Sequence, residues 1–553
     1  MIKHKICFQT DKNMILLYIG SFPYTWGGSM NKPYAYYEHK KLKSFKELLE
    51  FNYKKNKDST AFIFKNAKRE TINKTYEDFY NDVITMSNYL SNAYKGKHIA
   101  LIGENSYNYL VLFFSIIISQ NIAVVIDKDL DEQKINELLK KSDSKIIYYS
   151  PDYTDIDNIT KKYKSFFIND IEETINKNKY EFKDNKIKNK ERVIFFTSGT
   201  TGSSKGVMLS EKNILSDIYG ACSLFKPNGL AFSCLPFHHA FGLITSVLKP
   251  FYYGVPVFIN HSLKNIVPEM KEAKPNTMFV VPVFIENFYK QIWKNARNTK
   301  KDKILKAMIN VSNSLLKVGI DLRKYFFKSI LESFGGNLEY IICGGAFLDK
   351  KYVKWFRSIG IEILNGYGIT ECSPVLAVNR NEYYKDGSVG QIVRGADIKI
   401  ENNEILVKGD IVMIGYYKDE KATKEVMQNG YFNTGDFGYL DKDNFLFITG
   451  RKKNLIILSN GENISPEAIE EKLSKDKGVC EVIVYEKNNK LIASIYPNEE
   501  YFGNISYFNG LIYKYNSKVP KNHQIALVTL RNEEFPKNNN RKILRNKVME
   551  EEK

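Results

Sequence analysis

Cysteine is scarce and scattered, with Cys7, Cys222, Cys234, Cys343, Cys372 and Cys480 the only six in 553 residues and no CxxC pair among them. That spacing excludes a disulfide framework and a Cys/His zinc cluster, and points to a reducing, cytoplasmic compartment. Long hydrophobic runs are missing too. The apolar stretch Leu110–Ile118 is about half of the roughly 20 residues a membrane-spanning helix needs, so it is expected to be a buried helix. Acidic residues are outnumbered, 63 against 81 basic, which leaves a net charge of +18. Such a charge suits a phosphate-bearing partner, but lysine runs through the whole chain beside Asn, Ile and Tyr instead of gathering in one stripe. No nucleic-acid motif accompanies it, and nucleic acid is not the expected partner.

What is present suffices for several cores. Hydrophobic residues make up 43% and charged residues 26%, and at about 100 to 200 residues per domain the chain implies roughly three or four compact units. Residues 1–29 stand apart. The run Ile15–Phe22 follows a few lysines but precedes no small-residue cleavage site, so the segment reads as a disordered extension or a misassigned start.

From Lys97 onward short apolar runs alternate with helix-length segments: HIALIG, the helix around Leu110, IAVVID, EQKINELLKK, KIIYYS. This is the rhythm of βαβ units and a parallel sheet. It recurs after Glu191 in VIFF, AFSCLP, TMFVVP, EYIICGG and IEILNG, each ending in a Gly- or Pro-bearing turn, and ligand sites of open α/β sheets gather at such strand ends. A Lys-rich stretch from Tyr289 to Phe334 has helical apolar spacing and is expected to form two packed surface helices. After Gly390 the runs become shorter and β-like, and a change of pattern at Arg451 marks a domain boundary.

The chemistry-bearing segment is VIFFTSGTTGSSKGVMLS (Val193–Ser210), an apolar strand leading into a Thr/Ser/Gly loop with one lysine. Glycines let backbone N–H groups approach phosphate, hydroxyls donate, and Lys205 supplies charge. The spacing Gly199-x-x-Gly202-x-x-Lys205 is not that of a Walker A loop.

TSGTTGSSKG resembles the phosphate loop of the adenylate-forming superfamily of acyl-CoA synthetases, luciferases and peptide-synthetase adenylation domains. LPFHHAFG (Leu235–Gly242), CGGAFLD (Cys343–Asp349), NGYGITECSP (Asn365–Pro374), GYYKDEKATKE (Gly415–Glu425), YFNTGDFGYLD (Tyr431–Asp441), GRKKNLIILSNGENISPEAIE (Gly450–Glu470) and FPKNNNRKILR (Phe535–Arg545) are similar to its further signatures, in the family's order. The resemblance implies an α/β fold: a large N-terminal AMP-binding domain, 30–450, of two α/β sheet subdomains plus a small β-barrel, and a mobile C-terminal α+β domain, 451–553.

It also implies roles. Thr197, Ser198, Gly199, Thr200, Thr201, Gly202 and Lys205 would hold the β- and γ-phosphates of ATP. Thr370 would contact the α-phosphate, and Glu371 would hold Mg²⁺. Gly344, Gly345, Ala346, Tyr367 and Gly368 would surround adenine. Asp436 would accept hydrogen bonds from the ribose hydroxyls, with Arg451 assisting. His239 would lie near the substrate carboxylate, as a binding group and not a general base. Lys542 would stabilise charge in the first half-reaction, although Arg541 stands where the family commonly has glycine, and Lys537 is an alternative. Lys453 matches the domain hinge and Gly461 the pantetheine tunnel of coenzyme A.

YGITECSPVLAVN, LSNGENISPEAIEEKL and the helical insertion resemble the long-chain fatty acyl-CoA synthetase branch. The implied reaction is ATP-dependent activation of a fatty-acid carboxylate to an acyl-adenylate, then transfer to coenzyme A. Three alternatives stay open: a separate acyl carrier protein as acceptor, a catalytically weakened adenylate-binding protein, and peripheral contact of a basic surface with the inner face of an anionic membrane.

Overall fold

The computed structural model describes residues 5–10, 13–18, 36–150, 159, 161–177, 180–184, 190–197, 204–260, 262–381, 383–457, 463–488, 490–537 and 543–551. Two large sheets form the N-terminal region. The seven-stranded sheet runs, edge to edge, Gly415–Tyr416, Lys205–Leu209, Val193–Thr197, Ile122–Val125, His98–Ile102, Ile146–Tyr149 and Lys164–Phe167. Its last five strands are parallel, and Lys205–Leu209 turns back antiparallel on Val193–Thr197. The helix Tyr107–Ile118 is buried along its whole length, as its unbroken apolar sequence demands, and Ser106 caps it by accepting from the Tyr109 N–H at 3.2 Å.

The nine-stranded sheet runs Gln391–Ile392, Val375–Val378, Glu362–Gly368, Tyr340–Cys343, Thr277–Val280, Ala231–Ser233, Val257–Ile259, Thr60–Lys65 and Thr71–Thr75. Its six central strands are parallel, and antiparallel strands close both sides. The helix Glu211–Cys222 packs on it, started by a capping box between Ser210 and Asn213. Its hydrophobic face joins one continuous core with the apolar helix Phe241–Leu248, which is π-helical and runs on into the α-helix Lys249–Tyr253.

Two expectations change. The insertion holds four helices, Pro282–Asn298, Asp302–Lys317, Arg323–Phe326 and Lys328–Ser333. The first begins upstream of the lysine run because Pro282 supplies a preset N-terminal turn directly after a strand. The expected small barrel is a five-stranded antiparallel sheet, Ala396–Glu401, Glu404–Gly409, Tyr431–Leu440 and Met427–Gln428, with Leu446–Arg451 added on Tyr431–Leu440. Among the described residues no pairing closes it, and register shifts at Glu404/Leu406 and Phe437/Gly438 bend it instead. Beyond Arg451, the strands Val479–Lys487, Lys490–Pro497 and Ile525–Leu530 carry the helices Pro466–Leu473 and Ile505–Asn516 over a separate core. Among the described residues no helix is long and apolar enough to cross a membrane.

Candidate functional site

The strands Tyr340–Cys343 and Glu362–Gly368 end at a narrow cleft of about 80 Å³. Gly344, Gly345, Tyr367 and Gly368 line one end, and Cys222, Phe225, Thr245, Lys249 and Tyr253 the other. Two glycines are there for contact reasons. A Cβ on Gly344 would sit 3.2 Å from the Phe241 ring, and one on Gly368 would sit 1.9 Å from the Pro374 carbonyl oxygen. Ala346 is exposed one residue beyond the lining, beside the exposed Phe347.

Tyr367 links the cleft to the five-stranded sheet. Its hydroxyl donates to Asp436 Oδ2 at 2.6 Å, and Arg451 Nε reaches Asp436 Oδ1 at 2.7 Å across the pair Tyr431–Leu440 and Leu446–Arg451. Asp436 is 2% exposed. Its turn is fixed by the Thr434 hydroxyl, which accepts from the Asp436 N–H at 3.0 Å and donates to the Ile405 carbonyl at 2.8 Å. Burial, and next the Asp436 carboxylate, hold the Tyr367 phenol well above its ordinary pKa, so it stays a donor. Asp436 therefore keeps lone pairs for other donors while its charge is balanced. Lys453, two residues past Arg451, is exposed. Its pKa is lowered, first by the protein around it and then by Arg451, with Asp436 opposing.

A second cluster lies on the phosphate-loop side. Thr197 and Lys205 face each other across the antiparallel pair that the loop connects. The Lys205 ammonium lies 4.8 Å from the centre of the Tyr416 ring, and the Tyr416 hydroxyl donates to Glu371 Oε1 at 2.9 Å. Glu371 sits beside Thr370 in a short 3₁₀ turn after Tyr367 and Gly368, and its carbonyl accepts from the Met413 N–H at 2.8 Å. Burial and then the Glu371 charge raise the Tyr416 pKa. Among the described residues no cluster of three metal-ligating side chains exists. A single carboxylate fits Mg²⁺ brought in on phosphates, because that ion keeps most of its coordination as phosphate oxygens and water.

His239 is half-buried, its ring 4.3 Å from that of His238 and edge-on to it, and Phe241 instead of His239 lines the cleft. His238 Nε2 lies 3.4 Å from Asp127 Oδ1, and burial lowers the His238 pKa against that carboxylate. Lys537 is paired with Glu481 and Glu534, each at 2.6 Å. Ser198, Gly199, Thr200, Thr201, Gly202, Gly461 and Lys542 lie outside the described residues.

Sequence reasoning missed Tyr416, although it stands in the GYYKDEKATKE segment, and it missed Lys249. The signal for Lys249 was its isolation, one charge inside the apolar run from Phe241 to Tyr253.

Residues 49–417 match the model of the AMP-binding enzyme family. The chain is similar to a long-chain-fatty-acid–CoA ligase, FadD15, of Mycobacterium bovis, 31% identical over 310 residues, covering 53% of this chain and 52% of that protein. It is also similar to long-chain-fatty-acid–CoA ligase 5 of Rattus norvegicus, 30% identical over 335 residues, covering 56% and 49%. The chain thus spans about half the length of these relatives. Among solved structures, a fatty acyl CoA synthetase of Mycobacterium tuberculosis superposes with a TM-score of 0.67 at 20% identity, covering 92% of this chain and 98% of that one. The anthranilate CoA ligase AuaEII in complex with anthranoyl-AMP superposes with a TM-score of 0.74 at 16% identity, covering 93% and 98%. At these identities the structures establish the fold.

Proposed function

The chain belongs to the AMP-binding enzyme family, and from that premise we propose that it activates a fatty-acid carboxylate with ATP and passes the acyl group to coenzyme A. The observation that carries the reading is a largely apolar cleft whose Tyr367 is hydrogen-bonded to the Asp436–Arg451 pair. The Tyr367–Asp436–Arg451 network suits a ribose, the Lys205–Tyr416–Glu371 chain suits phosphates, and between the helices runs an apolar channel.

In the first half-reaction a carboxylate oxygen attacks the α-phosphorus of ATP, pyrophosphate leaves, and an acyl-adenylate forms. Both reactants are anions, so approach and orientation dominate the barrier. Asp436 holds the ribose, Thr197 and Lys205 flank the loop that takes the β- and γ-phosphates, and Thr370 meets the α-phosphate. Glu371 would hold Mg²⁺, which when bound would neutralise phosphate charge. Lys542 is assigned to the carboxylate and α-phosphate. In the second half-reaction the thiolate attacks the adenylate carbonyl and AMP leaves. Lys453 is assigned as the hinge of the C-terminal domain, 451–553, and Gly461 to the passage of the pantetheine arm.

The test is acid-dependent release of AMP and pyrophosphate from Mg-ATP, across acetate to long-chain acids, with mass detection of the thioester. A coenzyme A thioester that forms best with fatty acids supports the reading. Adenylate that transfers only to an acyl carrier protein replaces the acceptor, and no acid-dependent pyrophosphate release overturns the reading.

A further inference from the structure

The wall of the acid channel contains an ion pair that a plain hydrocarbon tail does not call for. Phe241, Thr245 and Lys249 follow one another at four-residue spacing along a continuous π- and α-helical segment, and all three line the cleft. Phe241 sits against Gly344 at the adenylate end. Lys249 lies eight residues further along that segment. Around it the lining is Ala221, Cys222, Phe225 and Pro250.

The Lys249 side chain is 8% exposed, and its ammonium lies 3.0 Å from Asp217 Oδ2, whose side chain is fully buried. The other oxygen of Asp217 accepts from the Val375 N–H at 3.0 Å. The ammonium also reaches the Thr245 hydroxyl, at a long 3.5 Å. An ammonium has three donors, so Lys249 retains hydrogen-bonding capacity toward the channel. Burying a charge pair is expensive, and an apolar pair of similar size would be at least as stable and would suit an alkyl chain better. The far end of the channel is also polar. The Tyr253 hydroxyl donates to the Cys222 carbonyl and lies 2.9 Å from His39 Nε2.

We propose that the acid activated here carries an uncharged oxygen, hydroxyl or keto, in the distal part of its chain, and that Lys249 donates the hydrogen bond that selects it. The proposal rests on the ligase reading. Asp217 decides the charge of that group. It already balances Lys249, so a second carboxylate in the channel would bring a net negative charge into a low-dielectric wall, whereas a neutral oxygen takes the spare donor without one. Thr245, one turn nearer the adenylate, provides a second hydroxyl on the same face.

The test compares dodecanoic acid, its mid-chain hydroxy, ω-hydroxy and keto derivatives, and dodecanedioic acid, as kcat/KM for pyrophosphate release. The wild-type chain is compared with the Asp217→Leu/Lys249→Met double variant, which removes the pair together and strands neither charge. Wild type should favour at least one oxygenated monoacid over dodecanoic acid by about tenfold or more, since a site built to hydrogen-bond a substrate oxygen discriminates strongly against the analogue lacking it. The double variant should lose or invert that ratio. Preference of wild type for dodecanoic or dodecanedioic acid overturns the proposal whether or not the variant folds, and so does an unchanged ratio in a folded variant. Turnover with none of the acids overturns the ligase reading and this proposal with it.

Discussion

Replacing Asp436 by Asn tests the nucleoside assignment at one carboxylate with little change of shape. A carboxylate offers about four lone-pair sites. In this structure one is used by the Tyr367 hydroxyl at 2.6 Å and one by Arg451 Nε at 2.7 Å, which leaves one on each oxygen for ribose. Asparagine has a single oxygen. Its NH₂ cannot face the Arg451 guanidinium, donor against donor, so it must turn toward Tyr367, whose oxygen can accept. One ribose acceptor is then gone and the other has lost its charge. A hydrogen bond to a charged group contributes about 1.5–3 kcal/mol, so KM for ATP in pyrophosphate exchange should rise about 10- to 100-fold. Folding should suffer little. Arg451 is 42% exposed on its side chain, so water takes up much of the lost ion pair, and the cost is at most about 1 kcal/mol. The melting temperature should fall by only a few degrees. An ATP KM within twofold of wild type in a folded Asp436→Asn enzyme would refute the ribose role.

Tyr416→Phe keeps the ring under Lys205 but removes the donor to Glu371 Oε1. Adenylate formation should slow about tenfold, and its Mg²⁺ midpoint should move up; an unmoved midpoint in a Mg²⁺ titration of pyrophosphate exchange would detach Tyr416 from the metal-holding carboxylate. Lys542→Ala should lower acyl-adenylate formation at least about 100-fold while sparing thioester formation from supplied adenylate, as two separate single-turnover assays would record; equal loss in both steps removes its first-half-reaction role.

The parallel sheets were legible because each strand is a short run of Val, Ile and Phe closed by a turn, a pattern that both-sided burial enforces. Tyr367, Glu371, Asp436 and Arg451 were legible from motif context, and the structure joins Tyr367, Asp436 and Arg451 in one network and Glu371 to Tyr416 in another. That last join was not. Tyr416 contacts Glu371 only because Gly415–Tyr416 adds to the edge of the first sheet, where Tyr416 pairs with Val207, more than 200 residues away in sequence. No local pattern encodes that pairing. The open five-stranded sheet was also beyond reach, since the register shifts at Glu404/Leu406 and Phe437/Gly438 depend on the pairing of strands and leave no local sequence mark.

Lys249 shows where sequence pattern and function part. The run from Phe241 to Tyr253 carries no other charge, and apart from Thr245 and Ser246 it is the apolar sequence expected of a helix packed on all sides. A lysine there conflicts with its context, and local conflicts of this kind mark functional sites more often than errors. Helix Glu211–Cys222 answers the conflict by placing Asp217 behind it, fully buried and tied to Val375. Had the pair served packing alone, its donors could have been turned away from the cleft and fully satisfied within the core. Instead the same lysine lines the channel with bonding capacity to spare. The ATP-binding end is built from residues that any acid would require, so the choice of acid must be made further in. Lys249 is the charged side chain the channel offers for making it.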